Sequence, residues 1–215
     1  MSLLSLLFDQ PWMFVATILV FVLALSVHES AHAYAGFLLG DMTAKRMGRL
    51  TLNPLAHMDL VGFLALLTIG FGWAKPVPYN PYNLRYPRWG PLLIALAGPA
   101  SNFVMGILGA ILFSLLLPHL GSHNLLVFFL ARFSVLNFGL MLFNMIPVPP
   151  LDGAQVLLIT LSDYRYRALR ERLETQGPML LMMLMIVAAL LSIPLFSWIT
   201  DGASALLLIF ASLVS

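Results

Sequence analysis

Long apolar runs separated by short polar segments dominate this sequence. A helix of about 20 apolar residues crosses a bilayer core about 30 Å thick. Four runs are that long, at residues 13–39, 91–117, 124–143 and 178–199. Two shorter runs, residues 59–72 and 203–214, predict re-entrant or half-spanning pieces. The pattern therefore predicts an all-α polytopic membrane protein with about four to six transmembrane or half-spanning helices.

A different pattern fills the segment after the first apolar run. Residues 41–58, DMTAKRMGRLTLNPLAHM, alternate polar and apolar side chains, which favours short strands. We expect a small β-sheet at the membrane face. The loop KPVPYNPYN follows, where closely spaced prolines disfavour helix. No repeat or long linker is evident, so residues 1–215 are expected to form a single membrane-embedded domain.

Composition and charge support a membrane protein. Hydrophobic residues make up 60% of the chain and charged residues 9%, against about 25% charged in an average soluble domain. The net charge of +2 does not indicate nucleic acid as a partner. The N-terminus lacks the basic region and cleavage site of a secretory signal, so the first apolar run is expected to stay as a membrane helix.

The basic residues predict an orientation in the membrane. Ten of the eleven lie in three loops, within residues 45–49, 75–88 and 165–172, whereas the connection at 118–123 and a predicted turn near Asp201 carry none. By the positive-inside rule the three basic loops are cytoplasmic. We expect a multi-pass protein of the cell's inner (plasma) membrane, with the N-terminus outside.

Three ionisable residues lie inside the first span, in the sequence VHESAHAYAG. His28 and His32, four residues apart, project from one face of a helix and can share a metal ion, while Glu29 points elsewhere and can act on a metal-bound water. Each such group costs about 2.5 to 3.5 kcal/mol in a membrane helix. A polar cluster that fixes helix packing and a proton or ion path in a transporter are the alternatives.

A catalytic zinc generally takes three protein ligands, and without cysteine the third must be His, Asp or Glu. Residues 124–162 must make one crossing although a helix of that length would measure about 58 Å, so the proline-rich NMIPVPPLDG at 144–153 must interrupt it. Asp152 lies beside that break, at a depth similar to that of the two histidines. It is either the third ligand, which we favour, or the N-cap of the next helix.

The sequence resembles the site-2 protease family of intramembrane metalloproteases, through HESAH at 28–32 and NMIPVPPLDG at 144–153. Further similarity lies in LNPLAHMDLVG, GWAKPVPYNPYN and AGPASN. The sequence departs from some members in carrying no inserted regulatory domain, so a compact member is expected. The resemblance implies cleavage of transmembrane proteins or peptides in the bilayer. It also implies one zinc ion per chain, with His28, His32 and Asp152 as ligands and Glu29 as catalytic acid and base.

Other polar residues have two interpretations each. Asn102 and Asn144 could bind substrate or an oxyanion, or form interhelical hydrogen bonds. His57 is expected to be structural or gating rather than a ligand, and Arg132, the one basic residue within a span, to be snorkelling or internally paired. An edge strand at residues 50–52 could hold an extended substrate by β-augmentation. A homo-oligomer is compatible with the sequence.

Overall fold

The computed structural model describes residues 3–70, 72–191 and 193–214. The α-helices in this part of the chain are α1 (Leu3–Asp9), α2 (Pro11–Leu38), α3 (Thr43–Arg46), α4 (Leu60–Ile69), α5 (Gly90–Leu120), α6 (Leu125–Asn144), α7 (Ala154–Thr160), α8 (Arg167–Leu190) and α9 (Ser197–Ser212). Short 3₁₀ turns occur at Pro54–Ala56, Pro81–Asn83 and Tyr164–Tyr166. Of the described helices, α2, α5 and α6 are long and apolar enough to cross a membrane.

The centre of the fold is a bundle in which α5 packs against α2 and α6, and α9 packs against α5 and α6. Small residues bring α5 and α6 close: a Cβ added at Gly106 would lie 2.6 Å from the Phe138 ring. Hydroxyls bridge helices, since Ser134 Oγ donates to Gly106 O and Ser114 Oγ to Ala211 O, each at 2.8 Å. Close backbones and interhelical hydrogen bonds are how helices associate in lipid.

The predicted β-sheet at residues 41–58 is wrong. The segment contains α3 and a 3₁₀ turn, and no strand occurs within the three described ranges. The pairing found is an isolated antiparallel bridge between Met58 and Ala74. The alternation of polar and apolar residues is therefore the pattern of an irregular loop that covers part of α2.

Side chains of α2 form hydrogen bonds with this loop, in place of the neighbouring strand that a sheet would supply. Ser26 Oγ donates to Leu52 O at 2.6 Å, and Ser30 Oγ contacts Thr51 O at 2.5 Å. These carbonyls are already paired with the protein's own hydroxyls, so residues 50–52 do not present the free edge that β-augmentation requires.

The predicted span at 178–199 is not one continuous helix. α8 begins at Arg167 in the basic segment, continues through Pro178 and ends at Leu190. Pro194 disfavours helical geometry at the residue before it, and α9 begins at Ser197. Asp201 consequently lies inside α9 and not in a turn. The short run at 203–214 falls largely within this helix, while α4, with ten residues, has the length expected of a half-spanning piece.

A buried carboxylate ties the end of α2 to the loop that precedes α5. Asp41 is 1% exposed. Its Oδ1 accepts hydrogen bonds from Thr43 Oγ1 at 2.6 Å and Asn83 Nδ2 at 3.0 Å, and its Oδ2 accepts one from Asn80 N at 2.8 Å. Arg85 N also donates to Leu39 O at 2.8 Å. Asp41 thereby fixes one end of the extended segment at residues 72–80.

We expect Asp41 to make the stability of the protein sensitive to acid. Burial raises the pKa of Asp41, but the hydrogen bonds from Thr43, Asn83 and Asn80 outweigh it and hold the pKa below its ordinary value. Because the pKa of Asp41 is lower in the folded protein than in the unfolded chain, the ionised carboxylate stabilises the fold. This contribution is complete above the unfolded pKa of about 3.9 and is lost as the pH falls through the folded pKa.

The variant Asp41→Asn should lower the unfolding temperature in detergent at pH 7, because the NH₂ group of the amide cannot accept the hydrogen bond from Asn80 N. The free energy of unfolding should fall by about 1–3 kcal/mol. It should also flatten the fall in stability between pH 5 and pH 3. Asp163→Asn, which changes an exposed carboxylate bonded to Arg165, is the matched control and should change the unfolding temperature little. Equal effects of the two variants would contradict this role.

Candidate metal centre

The two histidines of the HExxH pattern lie one turn apart on α2. This helix begins with Pro11, a residue suited to a first helical position, and continues for 28 residues. His28 and His32 are both buried, and their Nε2 atoms lie 3.0 Å apart. The rings meet edge to face, with centroids 4.6 Å apart. The helix thus directs two nitrogen ligands at one point.

The proline-rich loop after α6 brings Asp152 to the same point. Its Oδ2 lies 3.2 Å from His28 Nε2 and its Oδ1 3.4 Å from His32 Nε2. The loop folds tightly, with Gly153 N donating to Asn144 O at 2.6 Å, and a Cβ on Gly153 would clash with the Met145 carbonyl. Glycine is required here because the chain approaches itself so closely.

Asp152 does not act as a helix cap. The residue at the N-cap of α7 is Gly153, and no side chain caps that helix end. The Oδ2 atom of Asp152 is buried and has no hydrogen-bond partner. An unpaired buried carboxylate oxygen is costly, so this atom requires a positively charged or donating partner.

The hydrogen bond at Nδ1 of each histidine determines whether its Nε2 atom is free to bind a metal ion. His32 Nδ1 lies 2.7 Å from Ile94 O, which can only accept, so Nδ1 carries the proton. His28 Nδ1 lies 2.5 Å from Asn102 Oδ1. The Asn102 amide nitrogen is used separately, since it donates to Asn137 Oδ1 at 2.8 Å. In the neutral rings both Nε2 atoms therefore present lone pairs.

Three acceptors thus converge without a donor between them: two imidazole Nε2 atoms and a carboxylate oxygen, all within 4.8 Å of one another. A cation bound between these atoms relieves the repulsion among their lone pairs. Zinc bound tetrahedrally at about 2.0–2.1 Å separates its ligands by about 3.3 Å. The two Nε2 atoms lie 3.0 Å apart, and each lies close to a different Asp152 oxygen, His28 Nε2 at 3.2 Å from Oδ2 and His32 Nε2 at 3.4 Å from Oδ1. These spacings fit a zinc ion with three protein ligands, the number that leaves a fourth position for water in catalytic sites.

Glu29 lies beside the ligand cluster without belonging to it. Its side chain is 7% exposed and lines the same cavity as His28, His32 and Asp152. A carboxylate that faces the cavity and is not a ligand atom of the cluster can exchange protons with a water molecule held there.

The two asparagines predicted for substrate or oxyanion binding lie in different places. Asn102 is fully buried, and both of its polar atoms have partners on α2 and α6. It leaves no donor for an oxyanion and instead orients His28 through an interhelical hydrogen bond. Asn144 lines the cavity and donates to Leu140 O at 3.0 Å. Its role towards substrate stays a prediction.

Sequence reasoning missed two sets of residues that support the site. Asn137, fully buried on α6, accepts from Asn102 and donates to Phe133 O. Ser26 and Ser30 hold the loop at 50–52 against α2. The signal in the sequence that could have found them is a polar side chain inside an apolar helix.

His57 belongs to this loop and not to the ligand cluster. It is 1% exposed, and its Nε2 atom lies 2.8 Å from Thr51 O.

A cavity of about 1100 Å³ opens beside the cluster. Most of its walls come from α2, α6, α8, α9 and the extended segment at 72–79, and a few residues of α1, α4, α5 and α7 complete them. Apart from the four residues of the site, most of the lining is apolar. A space with this lining suits ligands of mainly apolar character.

Comparisons with known proteins agree with this chemistry. Residues 119–190, which include Asp152, match the family model described as "Peptidase family M50". The chain is 35% identical to "Putative zinc metalloprotease YwhC" of Bacillus subtilis (strain 168), over 91% of each chain. It is 30% identical to "Putative zinc metalloprotease Rip2" of Mycolicibacterium smegmatis, over 82% of this chain and 69% of that protein. No solved structure gives a significant match.

The Bacillus relative aligns over nearly the whole chain, and the matched family is one of peptidases. The long apolar helices are those of an integral membrane protein, and the cluster of two histidines and one aspartate suits the metal named in the relatives. The chain belongs to peptidase family M50, the site-2 proteases, and is a zinc metalloprotease.

Proposed function

We propose that this protein hydrolyses peptide bonds within or near the transmembrane segments of other membrane proteins. The observation that carries the proposal is the convergence of His28 and His32, within the long apolar helix α2, with Asp152 of the loop after α6. His28 lies ten residues before the end of α2, about 15 Å along the helix axis. A bond cut at that depth belongs to a segment embedded in the bilayer.

His28, His32 and Asp152 are the residues that would hold one zinc ion per chain. When bound, zinc supplies Lewis-acid polarisation of the scissile carbonyl and lowers the pKa of water. Glu29 accepts the proton of the attacking water and delivers it to the leaving amine, which is the work of a general base and then a general acid. Asn102 and Ile94 O hold the histidine rings so that their Nε2 atoms face the ligand position.

Water and peptide are proposed to reach the site from different directions. The three basic loops indicate that the nearer membrane face is cytoplasmic, and a polar path from that face would supply water. The substrate would enter from the bilayer, because the cavity beside the site is largely apolar. Its backbone must unwind near the scissile bond, since helical hydrogen bonds occupy the carbonyl that is attacked.

The test is cleavage of a synthetic transmembrane peptide by the purified protein in proteoliposomes, with the cut site identified by mass spectrometry. A matched soluble peptide, with the same central residues between charged flanks, is the control. We expect a cut inside the apolar stretch of the membrane peptide only, stopped by a zinc chelator and restored by added zinc. Equal cleavage of both peptides, or cuts confined to exposed flanks, would refute intramembrane proteolysis.

A further inference from the structure

Arg132 is a cation at the far end of the cavity, away from the ligand cluster. It lies on α6, seven residues after the first residue of that helix, and lines the cavity. Asn144, the last residue of the same helix, lines the cavity as Asp152 does. Twelve residues of helix separate the two positions, about 18 Å. The cavity therefore runs along most of α6, with the metal centre at one end and a guanidinium at the other.

The aromatic contacts of α6 place this second end near the other membrane face. The rings of Trp12, in the first turn of α2, and Phe128, in the first turn of α6, lie 5.0 Å apart. The guanidinium carbon of Arg132 lies 5.2 Å from the Phe128 ring centroid. The cation thus points away from the metal centre, as long basic side chains do near a membrane interface.

Within the described residues, no carboxylate forms an ion pair with Arg132; the ion pairs found there involve other residues. Two hydroxyls of the cavity lining are turned to their own helices, since Thr17 donates to Met13 O and Thr200 to Ser197 O. Arg132 is an exposed residue, so its guanidinium is available to an anionic group of a molecule that fills the cavity. Most of the cavity lining is apolar, so the anion comes from outside the described residues, either from the occupant of the cavity or from a lipid headgroup.

We propose that Arg132 binds an acidic side chain of the substrate's transmembrane helix and so selects which membrane segments enter the site. The inference rests on the proposed function. In an apolar cavity the occupant keeps its backbone hydrogen bonds by remaining helical away from the cut. The acidic residue then lies about 18 Å from the scissile bond, or about twelve residues, on the side that points away from the basic loops.

Peptides that differ at one residue test this assignment. One carries Glu about twelve residues from the cut, the second carries Gln there and the third Lys. Wild type should bind and cleave the Glu peptide with a KM on the order of tenfold lower than that of the Gln peptide, the size expected for a charge-assisted hydrogen bond. In Arg132→Gln this difference should disappear, and Arg132→Glu should prefer the Lys peptide.

Two controls separate this result from other causes. Arg88→Gln removes an exposed arginine that also stacks on an aromatic ring, Trp89 at 5.6 Å, but does not line the cavity. It should keep the wild-type preference. Binding of fluorescent peptides to Glu29→Gln protein reads the same preference without turnover.

The outcomes distinguish the two proposals. Cleavage of the Gln and Glu peptides with equal KM by wild type would overturn the role of Arg132 and leave intramembrane proteolysis standing. Failure to cleave any of the peptides would count against the proteolysis, while unequal binding would still support the arginine. If the Arg132 variants differ from wild type only in liposomes that contain phosphatidylglycerol, whatever the peptide charge, the anion is a lipid phosphate and the substrate assignment is wrong.

Discussion

Replacing Glu29 with glutamine is expected to lower the cleavage rate of a transmembrane peptide by about 10²–10⁴-fold while zinc stays bound. General acid and base groups contribute rate factors of this size, and glutamine cannot take the proton of the attacking water. Zinc should stay at about one ion per chain, because the ligand cluster consists of His28, His32 and Asp152 without Glu29. Metal analysis of detergent-purified protein, together with the peptide assay, measures both quantities.

His28→Ala is the control for this expectation. It removes one of three ligand atoms and leaves the Asp152 carboxylate with a single nearby imidazole nitrogen, that of His32, so both zinc and cleavage should be lost. Asp152→Asn should behave similarly, since the amide is a poorer ligand than the carboxylate. If Glu29→Gln cleaved at the wild-type rate, Glu29 would not be the catalytic base. If the His28→Ala variant contained as much zinc as wild type, the cluster would not be the metal site.

The parts of the site that the sequence predicts are those fixed by local geometry. The four-residue spacing of His28 and His32 determines their placement once α2 is a helix. The proline break predicts an interruption near Asp152, and the matching depths of the two segments predict that they can meet. Three of the four spans, at residues 13–39, 91–117 and 124–143, are likewise predicted by run length alone, and α2, α5 and α6 are found there.

The parts that the sequence does not predict depend on contacts between distant segments. The loop at 50–52 alternates like a strand, but its carbonyls pair with Ser26 and Ser30 of α2. The periodicity of the sequence cannot show that the hydrogen-bond partner of a carbonyl is a serine hydroxyl and not a neighbouring strand. Asn102 shows the same limit: an asparagine within a membrane helix indicates a hydrogen bond, but only the fold shows that its partners are His28 and Asn137.

The packing of α5 against α2 makes Gly98 part of the metal centre although it offers no ligand atom. A Cβ added at this position would clash with His32 Nε2 and would lie 2.6 Å from His28 Cε1. Both rings are held by hydrogen bonds at their Nδ1 atoms, so neither can turn away without losing one. The absence of a side chain at Gly98 is thus a condition for the two nitrogens to face the same ion.

Gly98→Ala is therefore expected to weaken zinc binding by about 10–100-fold, the range seen when the supports of metal ligands are removed, and to reduce cleavage in proportion. Gly36→Ala is the matched control. Gly36 also lies in the contact of α2 with α5, but its added Cβ would lie 3.7 Å from Ile94 Cδ1, an ordinary van der Waals distance. Competition with a fluorescent zinc chelator measures the affinity of each variant. Equal zinc affinities for the two alanine variants would show that the α5 backbone can withdraw, and that α2 alone places the histidines.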